Sequence, residues 1–211
     1  MSGRIAEQTV EAYLHRLASD DPTPGGGAVA AISGGAGAAL ISMVCNLTIG
    51  KKGYEEAEER LRGVLDEAEA ARTALLDLAD RDATAFDGVM AAFKMPKETD
   101  AEKAVRSQAI QEGYAAAATV PLEIAKRAAE LMELAREATE IGNAAASSDG
   151  ASAAQVLSAS VWAATYNVEI NAAALKDASK AQALSDEVSA LRASTAALLD
   201  ATNAAFASRI G

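Results

Sequence analysis

The sequence predicts an all-α fold, on three observations. Apolar residues recur at three- and four-residue spacing through almost the whole chain, Ala supplies about a quarter of its 211 residues, and no convincing run alternates apolar with polar as a strand would. Ala is the best helix former, and its short side chain lets helices approach closely. Half of the residues are hydrophobic but only 4% are aromatic, so the expected core is built from close helix contacts rather than large rings. The length suits one domain over 1–211, an elongated antiparallel helical bundle.

Ile5, Val10, Leu14 and Leu17 give a stripe that predicts a first helix over 4–19, closed by Asp20, Asp21 and Pro22. The second, over 27–47, is apolar nearly all round and is kept narrow by Gly34, Gly35, Gly37, Ala30, Ala31, Ala38 and Ala39. Such a helix has to be buried, and Ser33, Ser42 and Asn46 place it inside a bundle or dimer rather than across a membrane. A long third helix over 54–93 carries Leu61, Leu65, Ala68, Leu75, Leu78, Phe86 and Met90, and Met95-Pro96 ends it. Thr99-Asp100-Ala101-Glu102 has the form of a capping box and opens a helix toward Val120. Pro121 marks a kink or a new first turn, and the following helix closes at Gly142. Ser147-Ser148-Asp149-Gly150 reads as a polar loop before two last helices over 151–175 and 178–208.

The formal net charge of -11 excludes the basic face that nucleic-acid binding requires. A single Cys45 in an apolar run predicts a buried, inert thiol and a reducing compartment, and a single His15 leaves no basis for a histidine metal site. The N-terminal residues show no basic region followed by an apolar core, and no uninterrupted apolar stretch reaches the roughly 18 residues of a span. The expectation is a cytoplasmic protein without metal or membrane.

Thr23-Pro24-Gly25-Gly26-Gly27 is the first stretch with chemical promise. Three glycines at a helix entrance suit a tight turn or a close backbone approach, and the free amides there suit an oxygen-rich ligand. No Gly-Lys-Ser/Thr ending follows and no strand precedes, so neither a P-loop nor a dinucleotide fingerprint fits. Among Asp77, Asp80, Asp82 and Asp87, Asp82 shares a face with Leu78 and Phe86 that otherwise reads as core. Burial there would raise its pKa toward neutral and suit it to proton transfer, whereas solvated surface aspartates are the ordinary alternative. Lys51, Lys52, Lys94 and Lys97 lie at the two ends of the long helix, about 60 Å apart if it is straight. A bend or an antiparallel partner could join them into a basic rim for a carboxylate-bearing substrate. Asn167 and Asn171, one turn apart, either bond across a helix contact or read the amide edge of a heterocycle.

Taken together, Pro-Gly-Gly-Gly-Ala-Val-Ala-Ala (24–31), Gly-Lys-Lys-Gly-Tyr (50–54), Asp-Ala-Thr-Ala-Phe (82–86), Met-Pro-Lys-Glu-Thr (95–99), Val-Pro-Leu (120–122), Gly-Asn (142–143), Ser-Asp-Gly (148–150) and Tyr-Asn-Val-Glu-Ile-Asn (166–171) resemble the cyclodeaminase/cyclohydrolase family of folate enzymes. The family includes the C-terminal domain of formiminotransferase-cyclodeaminase and stand-alone bacterial cyclohydrolases, and the match covers nearly the whole chain. The resemblance implies an all-helical oligomer, a homodimer being the simplest closed form. It implies hydrolysis of 5,10-methenyltetrahydrofolate to 10-formyltetrahydrofolate with no metal or cofactor, Asp82 matching the position of the acid/base. By the same resemblance Pro24, Gly25, Gly26 and Gly27 lie against the folate, and Asn143, Asp149, Asn167 and Asn171 form a polar wall. Lys51, Lys52, Lys94 and Lys97 meet a glutamate tail, which can be polyglutamylated. The sequence carries no formiminotransferase half, which favours the hydrolase. Formiminotetrahydrofolate cyclodeaminase is the alternative, and a non-catalytic helical dimer or folate-binding module the further one.

Overall fold

Six α-helices follow one another in the computed structural model, which describes residues 4–210. They are α1 (Val10–Leu17), α2 (Gly26–Asn46), α3 (Glu58–Phe93), α4 (Asp100–Ile141), α5 (Ser147–Ala173) and α6 (Ala178–Ile210). Single 3₁₀ turns at Ile5–Glu7, Glu55–Ala57 and Ala144–Ala146 complete the regular structure, and no strand occurs among the described residues. The α2 helix lies between α3 and α5, α4 closes against α3 and α5, and α6 covers α4 and α5 from outside. Gly27 meets Asp82 and Gly34 meets Leu75, so α2 and α3 are antiparallel, as are α3 with α4 and α4 with α5.

The narrowness of α2 explains its burial. A Cβ on Gly37 would stand 2.6 Å from Leu157 Cγ, so glycine lets α5 come closer than any other residue would. Ala28, Ala30, Ala31, Ala38, Ile41, Val44 and Cys45 of the same helix are all fully buried. The helix is long and apolar enough to cross a membrane, yet 61% of that window is buried inside the bundle. Burial also pushes the Cys45 thiol up to about 11, which keeps it protonated and unreactive.

Three local expectations need correction. The first helix is shorter than 4–19, because Thr9 caps it through the Ala12 amide and the chain before it forms a separate 3₁₀ turn. Ser147–Gly150 is not a loop but the first turn of α5. Ser147 ties that turn to the carbonyl of Ala144, and Gly150 packs so closely on Thr139 of α4 that a side chain there would collide. Of the two readings of Pro121 the new first turn does not form, because α4 runs through it. Proline has no amide, so the carbonyl of Ala117 loses its helix partner; Asn171 of α5 donates its Nδ2 to that carbonyl at 3.2 Å instead.

Past Asp82, α3 and the facing start of α4 project beyond the N-terminus of α2 as a two-helix arm. The sequence-predicted capping box of Thr99 and Glu102 is formed at its tip. Phe93 and Tyr114 meet edge to face with centroids 6.1 Å apart, and Arg106 donates to the Phe93 carbonyl.

Gly37→Ala is expected to cost about 1–3 kcal/mol by overpacking against Leu157, seen as a fall of several degrees in a thermal melt. An unchanged Tm would show that Leu157 yields without cost.

Candidate functional site

The Gly25–Gly27 elbow, α3 and α5 enclose a crevice of about 200 Å³ lined by Thr23, Gly25, Gly26, Gly27, Asp82, Phe86, Asn167 and Asn171 among others. Larger grooves exist: one of about 410 Å³ between α5 and α6 has Glu169 as its only ionisable lining residue, and one of about 510 Å³ on the other side of α3 is lined by Arg4, Asp77, Asp80, Arg81 and Asp87 among others, where Arg4 pairs with Asp77 and Asp80. Asp82 leans on the first turn of α2 so closely that a Cβ on residue 27 would land on its carboxylate. The Ala28 amide at the start of α2 favours the charged form of that carboxylate, as does the positive end of the helix dipole. Burial opposes both and dominates, so the Asp82 carboxyl titrates above its ordinary value.

The two asparagines approach from α5. Asn167 comes within 3.1 Å of where a Gly26 Cβ would be, and its Nδ2 donates to the Ala163 carbonyl at 2.9 Å. Asn171 Nδ2 donates to the Ala117 and Asn167 carbonyls at 3.2 Å and 2.8 Å. Asn171 therefore spends both N–H donors on backbone and keeps Oδ1 as an acceptor, whereas Asn167 keeps one N–H as well as its Oδ1. Pro24 is buried behind the elbow.

The remaining sequence-predicted residues do not join this crevice within one chain. Lys51 and Lys52 are exposed in a turn whose shape is set by left-handed Gly50 (φ 75°) and Gly53 (φ 92°). That turn is at the far end of α2, about 30 Å of helix from Gly27. Tyr54 anchors it by accepting the Ala144 amide. Asn143 is at the same far end, buried, capping Ala145 and donating to the Leu47 carbonyl, and half-buried Asp149 is in the first turn of α5. Lys94 and Lys97 are exposed at the tip of the arm. Asp77 and Asp80 pair with Arg4, leaving Asp82 as the aspartate that turns into the crevice. Among the described residues no three His, Cys, Asp or Glu side chains gather as a metal site.

Tyr13 was not legible as a site neighbour. Its hydroxyl is closed off from solvent without a hydrogen-bond partner, and burial first, then the charge of Asp82, push its pKa up. In the sequence it is one aromatic in a short amphipathic helix, and only the docking of α1 reveals it.

A helical bundle that holds one desolvated carboxylate against a glycine elbow and an amide-bearing helix has the features of a small-molecule site. The model of the formiminotransferase-cyclodeaminase family matches residues 9–190, and the chain belongs to that family. It is 45% identical over 191 residues to methenyltetrahydrofolate cyclohydrolase of Methylorubrum extorquens, covering 90% of this chain and 92% of the relative. It is 35% identical over 173 residues to formimidoyltransferase-cyclodeaminase of Rattus norvegicus, spanning 82% of this chain and 31% of that longer protein. The crystal structure of formiminotetrahydrofolate cyclodeaminase from Thermotoga maritima superposes with a TM-score of 0.88 at 28% identity, covering 98% of this chain and 100% of that one.

The raised pKa of Asp82 has a consequence for stability. Because the folded-state value exceeds the unfolded one, the associated stabilisation is complete below the unfolded pKa and is lost as pH rises through the folded pKa. Asp82→Asn is therefore expected to melt higher than wild type at neutral pH, with the gap closing as pH falls through that raised pKa. A gap independent of pH would contradict the desolvated carboxylate. Gly27→Ala is expected to keep the helical circular dichroism while displacing the carboxylate and abolishing turnover; full activity would show that the contact does not position Asp82.

Proposed function

We propose that this protein is a methenyltetrahydrofolate cyclohydrolase that uses Asp82 as its general base and acid. The observation that carries the proposal is the half-buried Asp82 carboxylate, held on the first turn of α2 with a raised pKa inside the crevice. The 45% identity to a cyclohydrolase over nearly the full length of both chains supports the same reaction.

The chemistry follows from the substrate's charge. Its one-carbon bridge is an amidinium cation, so the carbon is already electrophilic and needs no metal or covalent nucleophile. The cation keeps Asp82 ionised on binding. As water adds to the bridge carbon and Asp82 takes its proton, the positive charge disappears and burial again favours the protonated carboxyl. Asp82 then returns the proton to N5 as the C–N5 bond breaks. The formyl group stays on N10, and the hydroxyl proton of the adduct leaves as the carbonyl forms. One water is consumed and one proton is released. In this reading the Oδ1 atoms of Asn167 and Asn171, two residues that line the crevice, accept from the ring amide and amino groups of the pterin head.

A homodimer belongs to the same proposal. Tyr166 and Ile170 leave an apolar face on α5 that is 57% and 71% exposed beside the crevice asparagines. Lys51, Lys52, Asn143 and Asp149 are at the far end of α2 and could meet the substrate only from a second copy.

The second reading, cyclodeaminase, is favoured by one observation: the Thermotoga maritima structure is matched along its entire length. Purified protein should be assayed with 5,10-methenyltetrahydrofolate and with formiminotetrahydrofolate. Turnover of the first without ammonia release from the second is the expected outcome, and the reverse would replace the proposal. Asp82→Asn should lower kcat at least about a hundredfold, and near-normal turnover in that variant would remove Asp82 from the mechanism.

A further inference from the structure

The crevice is too small for the whole substrate. At about 200 Å³ it falls below the ~300–1,000 Å³ of pockets that enclose a drug-sized ligand. It can hold the fused rings that carry the reacting carbon, so the aryl ring on N10 and the glutamate beyond it must lie outside. A specific path leads out. Phe86 lines the crevice, and Met90 and Phe93 follow it along α3, leaving three large apolar side chains 37%, 40% and 41% exposed. At 100° per residue all three lie within about 80° of Asp82 around the helix axis, on one face, and Phe93 is about 16 Å along it.

The far end of this path is cationic. The Arg106 guanidinium stands over the Phe93 ring at 5.6 Å and donates to the Phe93 carbonyl at 3.3 Å and 3.1 Å. No carboxylate pairs with it among the described residues, nor with Lys94 or Lys97 beyond it. In a chain of net charge -11, an arginine and two lysines without acidic partners at the end of an apolar track are complementary to a carboxylate-tipped aryl amide.

We propose that the Phe86, Met90 and Phe93 face of the arm seats the p-aminobenzoyl ring of the substrate and that Arg106 binds its glutamate carboxylate. This deepens the cyclohydrolase reading and rests on it. The tail is then held by the same protomer that holds the reacting carbon, and further γ-linked glutamates run on toward Lys94 and Lys97. Arg106 suits the task because its fork keeps donors free after bonding the Phe93 carbonyl.

The test uses the full chain with p-aminobenzoylglutamate as probe, its Kd read by calorimetry, and 4-aminobenzamide as the probe without a tail. Arg106→Gln is expected to raise the Kd for p-aminobenzoylglutamate at least about tenfold, the scale of one charge-assisted hydrogen bond, and to leave 4-aminobenzamide binding unchanged. Met90→Ala is expected to weaken both probes. Arg106→Lys keeps the charge while losing the fork, so it should retain more affinity than Arg106→Gln; equal losses would assign the effect to disruption of the arm and overturn the proposal. Failure of wild type to bind the probe would also overturn it. So would Met90→Ala dissociating an oligomer without changing Kd, since the face would then be a subunit contact. In turnover the same substitutions should raise KM rather than lower kcat. Arm-dependent probe binding in a wild-type protein that does not hydrolyse methenyltetrahydrofolate would instead refute the reaction while leaving the tail site in place.

Discussion

The carboxylate of Asp82 occupies the space that a side chain on residue 27 would fill. That contact stands at one end of the α2 and α3 interface, where burial shields the carboxylate from water and the Ala28 amide favours its charge. Each alone would be ordinary. Combined, they hold an acid group between two opposing influences, a helix terminus that favours its charge and a dry wall that disfavours it. Such a group changes protonation state when a neighbouring charge appears or vanishes, and in the proposed reaction a cationic substrate supplies that change.

The same balance bears on how an acidic protein retains an anionic ligand. The one-carbon bridge is positive and the tail is negative, so one molecule needs opposite fields at its two ends. In the proposed arrangement the negative group is Asp82 and the positive one is Arg106 on the arm, which has carbonyl and ring contacts but no acidic partner among the described residues. Separating the two along α3 lets the net charge serve solubility without deciding affinity.

Much of this was legible in the sequence. Helix periodicity gave the all-α class, Gly34 and Gly37 marked a buried α2, and the Thr99 to Glu102 spacing gave the capping box that forms. Asp82 stood out because its helical neighbours Leu78 and Phe86 are apolar, and Gly27 because three glycines in a row need a reason. What was hidden depends on contacts between distant segments. Nothing near Ser147 shows that a polar tetrapeptide will be helical; packing of Gly150 on Thr139 decides it. Asn143 and Asn171 look alike in sequence, yet one caps a turn at the far end of the bundle and the other borders the crevice. Tyr13 and Arg106 acquire meaning only from what α1 and the arm dock against.

The repair of α4 at Pro121 links two positions that are fifty residues apart. The amide that proline lacks is replaced by one from Asn171, which also borders the crevice. Exchanging the asparagine strands a carbonyl, while restoring an amide at 121 removes one of its two donor contacts and leaves the bond to the Asn167 carbonyl. The gap that a proline leaves in the scaffold is thus one of two carbonyl contacts that orient an amide at the crevice wall.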